Sequence, residues 1–213
     1  MEYYINEFRP LAESAAGRQA IAQHKLPPFI DGSCRREPDL ESPFPSITAL
    51  CRGEHFAPRL KVGDMVAYMT KDFAYPPKTD NTRRLVAILQ IEKTWRSHRD
   101  AASWYNEQNL PLPRNCMVAG SEPLPLDFTD RYRNDPRGWE LHYWRIARTE
   151  GVFHACRKVF CELIEPPRLK NQQLANWFGG TLPDTRNFPP VPPHVFMKLL
   201  RWLKGSGCER CLP

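Results

Sequence analysis

The chain lacks any apolar run long enough for a signal peptide or a membrane span, and its first residues, "MEYYINEFRPLAESAAGRQA", carry Glu2, Glu7 and Glu13. That absence predicts a soluble, cytoplasmic protein without a membrane partner. Glycine is scarce, 11 residues against 22 prolines, so short elements joined by stiff loops are expected and long helices should be few. Also missing are a phosphate-cradling Gly-rich loop, a nucleophile elbow, an H-E-x-x-H pair and a dinucleotide fingerprint. Their absence weighs against nucleotide hydrolases, kinases and dehydrogenases. No internal repeat or low-complexity segment interrupts the 213 residues, a length that can bury one main core.

Seven cysteines, an odd number without secretory context, read as reduced thiols rather than a disulfide framework. Cys208 and Cys211 have the spacing of half a zinc site, and His154, Cys156 and Cys161 are the candidates for the other half. In one regular strand Cys156 and Cys161 point to opposite faces, so both bind one ion only if the strand breaks. No cofactor is therefore expected. Cys51 and Cys116 are candidate nucleophiles without a readable partner base.

What is present is a modest basic excess, 30 Lys+Arg against 24 Asp+Glu for a net charge of +6, which favours a polyanionic partner. Aromatic residues stand close in sequence to Arg or Lys at Tyr68, Trp95, Trp104, Tyr105, Trp139 and Trp144. Such pairs stack a base and hold a phosphate, or simply pack a core.

The spacing predicts a helix over Pro10–His24, mostly loop over Leu26–Phe44, and strands at Met65–Met69 and Arg84–Ile91 with apolar residues on both faces. A helix is expected over Ser97–Asn109, with Ser97 as its cap. Alternation over Trp139–Ala147 reads as a strand, and Val152–Ile164 supplies one or two more. Lys170–Phe178 reads as a short helix. The last helix is marked by Pro192 and Pro193, by a stripe of Val195, Phe196, Leu199, Leu200 and Leu203, and by Gly205. The class expected is α+β, on a small curled sheet.

Within "GSCRREPD", Arg35 and Arg36 lie beside Glu37 and Asp39, either as a solvated charge cluster or as a bidentate clamp on phosphate. The pattern "RLKVGDMVAYMTK … RRLVAILQIEKTW" resembles the PUA-like superfamily, which includes EVE, ASCH and YTH domains; Gly63, Asp64, Tyr68, Arg84–Ile91 and Trp95 carry the likeness. The upstream "FIDGSCRREPDLESPFPSITALC" is similar to nucleotide-modification-associated domains of bacterial and phage DNA-modification loci.

The resemblance implies a partly open β-barrel, over residues 26–168; the residues outside it read as a helical segment over 1–25 and a Pro-rich, helical extension over 169–213. It also implies a reader of modified bases, with modified DNA as the expected partner, in which Tyr68 and Trp95 sandwich a base. Ser33, Ser46 and Thr70 would then bond its edge, with Arg35, Arg36, Lys71 and Arg96 on phosphates. An alternative implied by the ASCH-like relatives is a small hydrolase acting on modified nucleosides or RNA, with Lys71 activating Thr70 or water and Glu92 or Asp64 polarising it. A third reading gives the C-terminal extension a protein partner.

Overall fold

The computed structural model describes residues 1–50, 55–71, 73, 75, 81–130, 136–183, 185 and 187–206. The fold is α+β. Its centre is a curled sheet in the order β1-β3-β4-β5-β2, with β6 also on β4. These strands are β1 (Tyr3–Phe8), β2 (Ser46–Thr48), β3 (Met65–Thr70), β4 (Thr82–Trp95), β5 (Phe153–Cys161) and β6 (Arg168–Lys170). Helices α1 (Ala15–His24), α2 (His98–Glu107), α3 (Pro136–Thr149), α4 (Asn171–Trp177) and α5 (Pro193–Gly205) pack around it.

β4 is the spine, pairing antiparallel with β3, β5 and β6. Register breaks between Tyr68 and Met69, between Ile88 and Leu89, and between Ile91 and Lys93 each insert local twist. They bend the sheet into a half-barrel. Period-two alternation then sends Val66, Tyr68, Val86 and Leu89 to one face, where they meet Phe29, Leu40, Ile47, Tyr143 and Ile146. Ala67, Met69, Leu85 and Ile88 face the other side, against Val195, Phe196, Leu199 and Leu203 of α5. Each such buried Leu or Phe contributes about 1.5–3 kcal/mol of transfer free energy. The apolar stripe of α5 is therefore occupied by the sheet, and the proline-rich run before it is tied down too: Val191 N–H donates to Tyr3 O at 2.7 Å, and the Phe188 ring lies 4.6 Å from that of Phe56.

The Gly-Asp turn has a structural account. Gly63 takes φ +94°, which a side chain rarely adopts, and its N–H donates to Ile91 O at 2.8 Å. Asp64 accepts from Lys61 N–H at 2.9 Å and from Glu2 N–H at 2.7 Å, joining the turn to the start of β1.

Two sequence expectations are corrected. Residues 3–8, inside the segment expected to be helical, form β1, parallel to β3 with Tyr4 beside Val66 and Asn6 beside Tyr68. Trp139–Ala147 is not a strand: it lies within α3, whose buried residues Tyr143 and Ile146 follow a helical spacing while Leu141 stays 70% exposed. Helix α2 is capped as expected, Ser97 Oγ accepting from Arg99 N–H and Asp100 N–H at 3.1 and 3.4 Å. No helix among the described residues is long and apolar enough to cross a membrane.

Candidate functional site

The segment Pro28–Leu40 has no regular structure yet every residue in it is buried. A buried loop is tolerable only if its backbone groups find partners. Here carboxylates supply them. Asp31 Oδ1 accepts from the N–H groups of Ser33 and Glu37 at 2.8 and 3.2 Å. Asp39 accepts from Glu41, Ser42 and Arg114 N–H groups.

Both arginines of this loop are turned inward. Arg36 donates to Asp31 O, Ser33 O and Phe128 O at 2.6, 3.0 and 2.9 Å, and its Nε faces Glu41 at 3.5 Å. Arg35 donates from Nη1 to Ser121 O at 3.0 Å and from Nε to Glu140 Oε2 at 3.0 Å, with a second, shorter contact from Nη2 to Glu140 Oε1. Neither guanidinium is presented to solvent; the charge cluster of "GSCRREPD" is an internal brace. Gly32 is required beside it, because a Cβ there would lie 2.1 Å from Asp130 Oδ1.

Glu37 sits at the centre of a buried polar chain. Its carboxyl meets Thr48 N–H at 3.0 Å, Thr48 Oγ1 at 2.5 Å and Asn115 Nδ2 at 2.8 Å, and Ser46 Oγ donates to Asn115 Oδ1 at 2.5 Å. Burial raises the Glu37 pKa to about 8 against these hydrogen bonds.

The residues expected to form the base pocket are dispersed. Tyr68 is 1% exposed, with its pKa pushed up by burial and then by Glu37. Trp95 is half-buried and packs on Trp104 and Phe153 at 5.4 and 6.3 Å between centroids. Tyr68 pairs with Ala87, eight β4 residues from Trp95, and the two rings belong to different hydrophobic clusters rather than facing each other. Ser33 and Ser46 are fully buried within the loop and the Glu37 chain. Thr70 is buried and its Oγ1 accepts from Arg84 N–H at 3.2 Å.

Lys71 and Arg96 are exposed. Glu92 is exposed on β4, 3.3 Å from Arg157, and far along the strand from Thr70. Lys71, Thr70 and Glu92 do not form one catalytic group. His154 uses both ring nitrogens: Ala57 O accepts from Nε2 at 2.8 Å, so Nδ1 accepts from Thr94 Oγ1 at 2.8 Å. Burial lowers its pKa to about 4 and pushes the Cys156 thiol well up, which suits structural roles. Cys51, Cys208 and Cys211 lie outside the described residues.

A different place combines an aromatic side chain with two cations that have no carboxylate within ion-pair distance among the described residues. A surface recess of about 380 Å³ is lined by Lys25, Leu26, Pro28, Tyr75, Arg84 and Glu165, among others. That volume falls in the usual range for small-molecule sites. Its aromatic lining is Tyr75, backed by the buried Phe29 ring edge-on at 5.5 Å, which in turn lies 6.2 Å from Phe73. The Arg84 guanidinium lies 4.9 Å from the Phe29 centroid and has no carboxylate within ion-pair distance among the described residues. Burial, and then neighbouring Arg168, lower its pKa from the ordinary arginine value.

The recess thus offers a stacking face, two cations at Lys25 and Arg84, and one acceptor at Glu165. β4 positions Arg84, the α1 terminus positions Lys25, and the buried loop holds Phe29 from below. The sequence carried a signal for it: "FAYPP" places aromatics in the long connection after β3, and an arginine opens an otherwise apolar strand. No family model, curated protein or solved structure matches the chain.

Proposed function

We propose that the chain is a nucleic-acid-binding module, PUA-like in its partly open barrel, that reads a modified base in the recess between Tyr75 and Arg84. The observation that supports this reading is the pairing of an aromatic side chain with an arginine that lacks a carboxylate partner among the described residues, in a recess of about 380 Å³. A base stacks on Tyr75, a contact worth about 1–3 kcal/mol whatever the sequence. Arg84 and Lys25 then meet an adjacent phosphate or carbonyl oxygens on the base, while Glu165 accepts from an amino or hydroxyl group. The net charge of +6 brings the polyanion to the surface.

The test is fluorescence anisotropy with matched oligonucleotides, single- and double-stranded, carrying unmodified, methylated or hydroxymethylated cytosine or methylated adenine. One modified oligonucleotide is expected to bind at least about tenfold tighter than its unmodified match, roughly 1.4 kcal/mol. Tyr75→Ala and Arg84→Gln are expected to remove that ratio while the protein remains folded. Equal affinity for every oligonucleotide would overturn the reading, and a change in oligonucleotide mass after incubation would replace it with an enzymatic one.

A further inference from the structure

Helix α3 contains one acidic residue, Glu140, and it is the residue that pairs with buried Arg35. Turning that carboxylate inward leaves the outer face of the helix without negative charge. Arg137, Leu141, Arg145 and Arg148 recur there at spacings of four, four and three residues, and all four are exposed. Leu141 is 70% exposed and Trp139 37%.

Among the described residues none of the three arginines has a carboxylate within 4.0 Å. Arg145 Nη2 lies 3.3 Å from His142 Nδ1, and the Arg148 guanidinium is 5.8 Å from the centroid of Trp144. Glu150 follows one residue after the helix ends. Between the last two turns is a recess of about 340 Å³ lined by Leu141, Trp144, Arg145, Arg148 and Thr149.

We propose that this face is the track for a nucleic-acid backbone, with the three arginines on successive phosphates and a base entering the recess against Trp144. The inference rests on the nucleic-acid reading above but concerns a separate surface. The eleven steps from Arg137 to Arg148 span about 16 Å of helix, the length of several phosphates along one strand. Arginine forks phosphate oxygens bidentately, and an exposed leucine between arginines meets sugar and base edges rather than water. The internal pair is what separates the signs: a Glu140 left on the outside would sit one turn from Arg137 and partly neutralise it.

The test uses the whole chain and a fluorescein-labelled, unmodified single-stranded oligonucleotide of mixed sequence, titrated at several salt concentrations. The triple variant Arg137→Gln, Arg145→Gln, Arg148→Gln is expected to lose at least about tenfold in affinity at low salt. Its log–log salt slope should also be shallower by about 2, since each single-strand phosphate contact contributes roughly 0.7. Lys198, Arg201 and Lys204 on α5 are exposed too, and replacing all three by Gln removes the same charge elsewhere.

That control is expected to keep the parent slope, and both variants the parent Tm. An equal loss in the α5 control would show that net charge rather than α3 carries binding, and would overturn the proposal. Competition by poly-glutamate as effective as by the oligonucleotide would assign the surface to acidic proteins, and also overturn it. The two readings fail separately: loss of discrimination between modified and unmodified oligonucleotides strikes the Tyr75–Arg84 recess, whereas an unchanged salt slope strikes α3.

Discussion

Arg35 and Glu140, 105 residues apart, meet in a two-point ion pair that joins the buried loop to α3. The arginine side chain is 1% exposed and the carboxylate 21%, so removing the acid strands a buried cation. Glu140→Ala is expected to destabilise the protein by about 3 kcal/mol. Urea unfolding should show a lower midpoint at an unchanged m-value. A variant within 0.5 kcal/mol of the parent would mean that Ser121 O and Arg114 O alone satisfy the guanidinium.

The buried ionisable groups set opposite limbs of a stability profile. His98 and His154 are held neutral, their pKa values lowered to about 4 chiefly by burial; His98 Nδ1 accepts from Met117 N–H at 3.1 Å. Below the ordinary histidine pKa of about 6.5 the unfolded chain binds protons that the folded one does not, so stability falls as pH drops toward 4. Glu37 acts in the other direction, because its folded pKa of about 8 lies above the unfolded value of 4.5. Stability is lost as pH rises from 4.5 to 8, by about 1.4 kcal/mol per pH unit for one proton.

Between 4.5 and 6.5 the two histidines oppose Glu37 and Glu41, whose pKa burial also raises, and above 6.5 only the carboxylate limb remains. Stability is therefore expected to fall from pH 6.5 to 8. Glu37→Gln removes the titrating proton and should flatten the limb from pH 6.5 to 8. Thermal unfolding across that range checks it: a limb as steep in the variant as in the parent rules Glu37 out as its source.

Much of the sheet was legible in the sequence because its signal is local. Residues of β3 and β4 alternate or are apolar on both faces, and the stripe, prolines and glycine of α5 mark its ends. The misread segments depend on distant partners. "WELHYW" puts large residues at every second position, yet the residues that reach the core, Tyr143 and Ile146, repeat at helical spacing. "SCRREPD" has the composition of a solvated loop; it is interior because Phe128, Ser121 and Glu140 supply acceptors some 86 to 105 residues away. The recess beside Tyr75 draws on α1, β4 and the segment before β6, and no single stretch of sequence shows that convergence.

Trp95 separates a packing role from a recognition role. Its ring packs in the cluster with Trp104, Tyr105 and Phe153, while Lys93 Nζ lies 5.0 Å from the Trp104 centroid. Trp95→Ala is expected to destabilise by about 2 kcal/mol, less than a fully buried tryptophan would. It should leave the ratio of affinities for modified and unmodified oligonucleotides intact. If that ratio collapsed while Tyr75→Ala preserved it, the base would bind at the Trp95 end of β4.

The C-terminal helix tests whether residues after Pro167 are an appendage or part of the core. Phe196 is 0% exposed and its ring lies 4.6 Å from that of Tyr3, and α5 covers Met69, Leu85 and Ile88 on the sheet. A chain ending at Pro167 would bare this apolar face and also remove β6 from β4. It is expected to be insoluble or molten, with dye binding to exposed apolar surface and no cooperative thermal transition. Phe196→Ala in the full chain should keep a cooperative transition but lose about 3–5 kcal/mol, through lost burial and the cavity left behind. A truncated chain that unfolds cooperatively at the parent temperature would contradict this packing and restore α5 as a surface free to hold a partner.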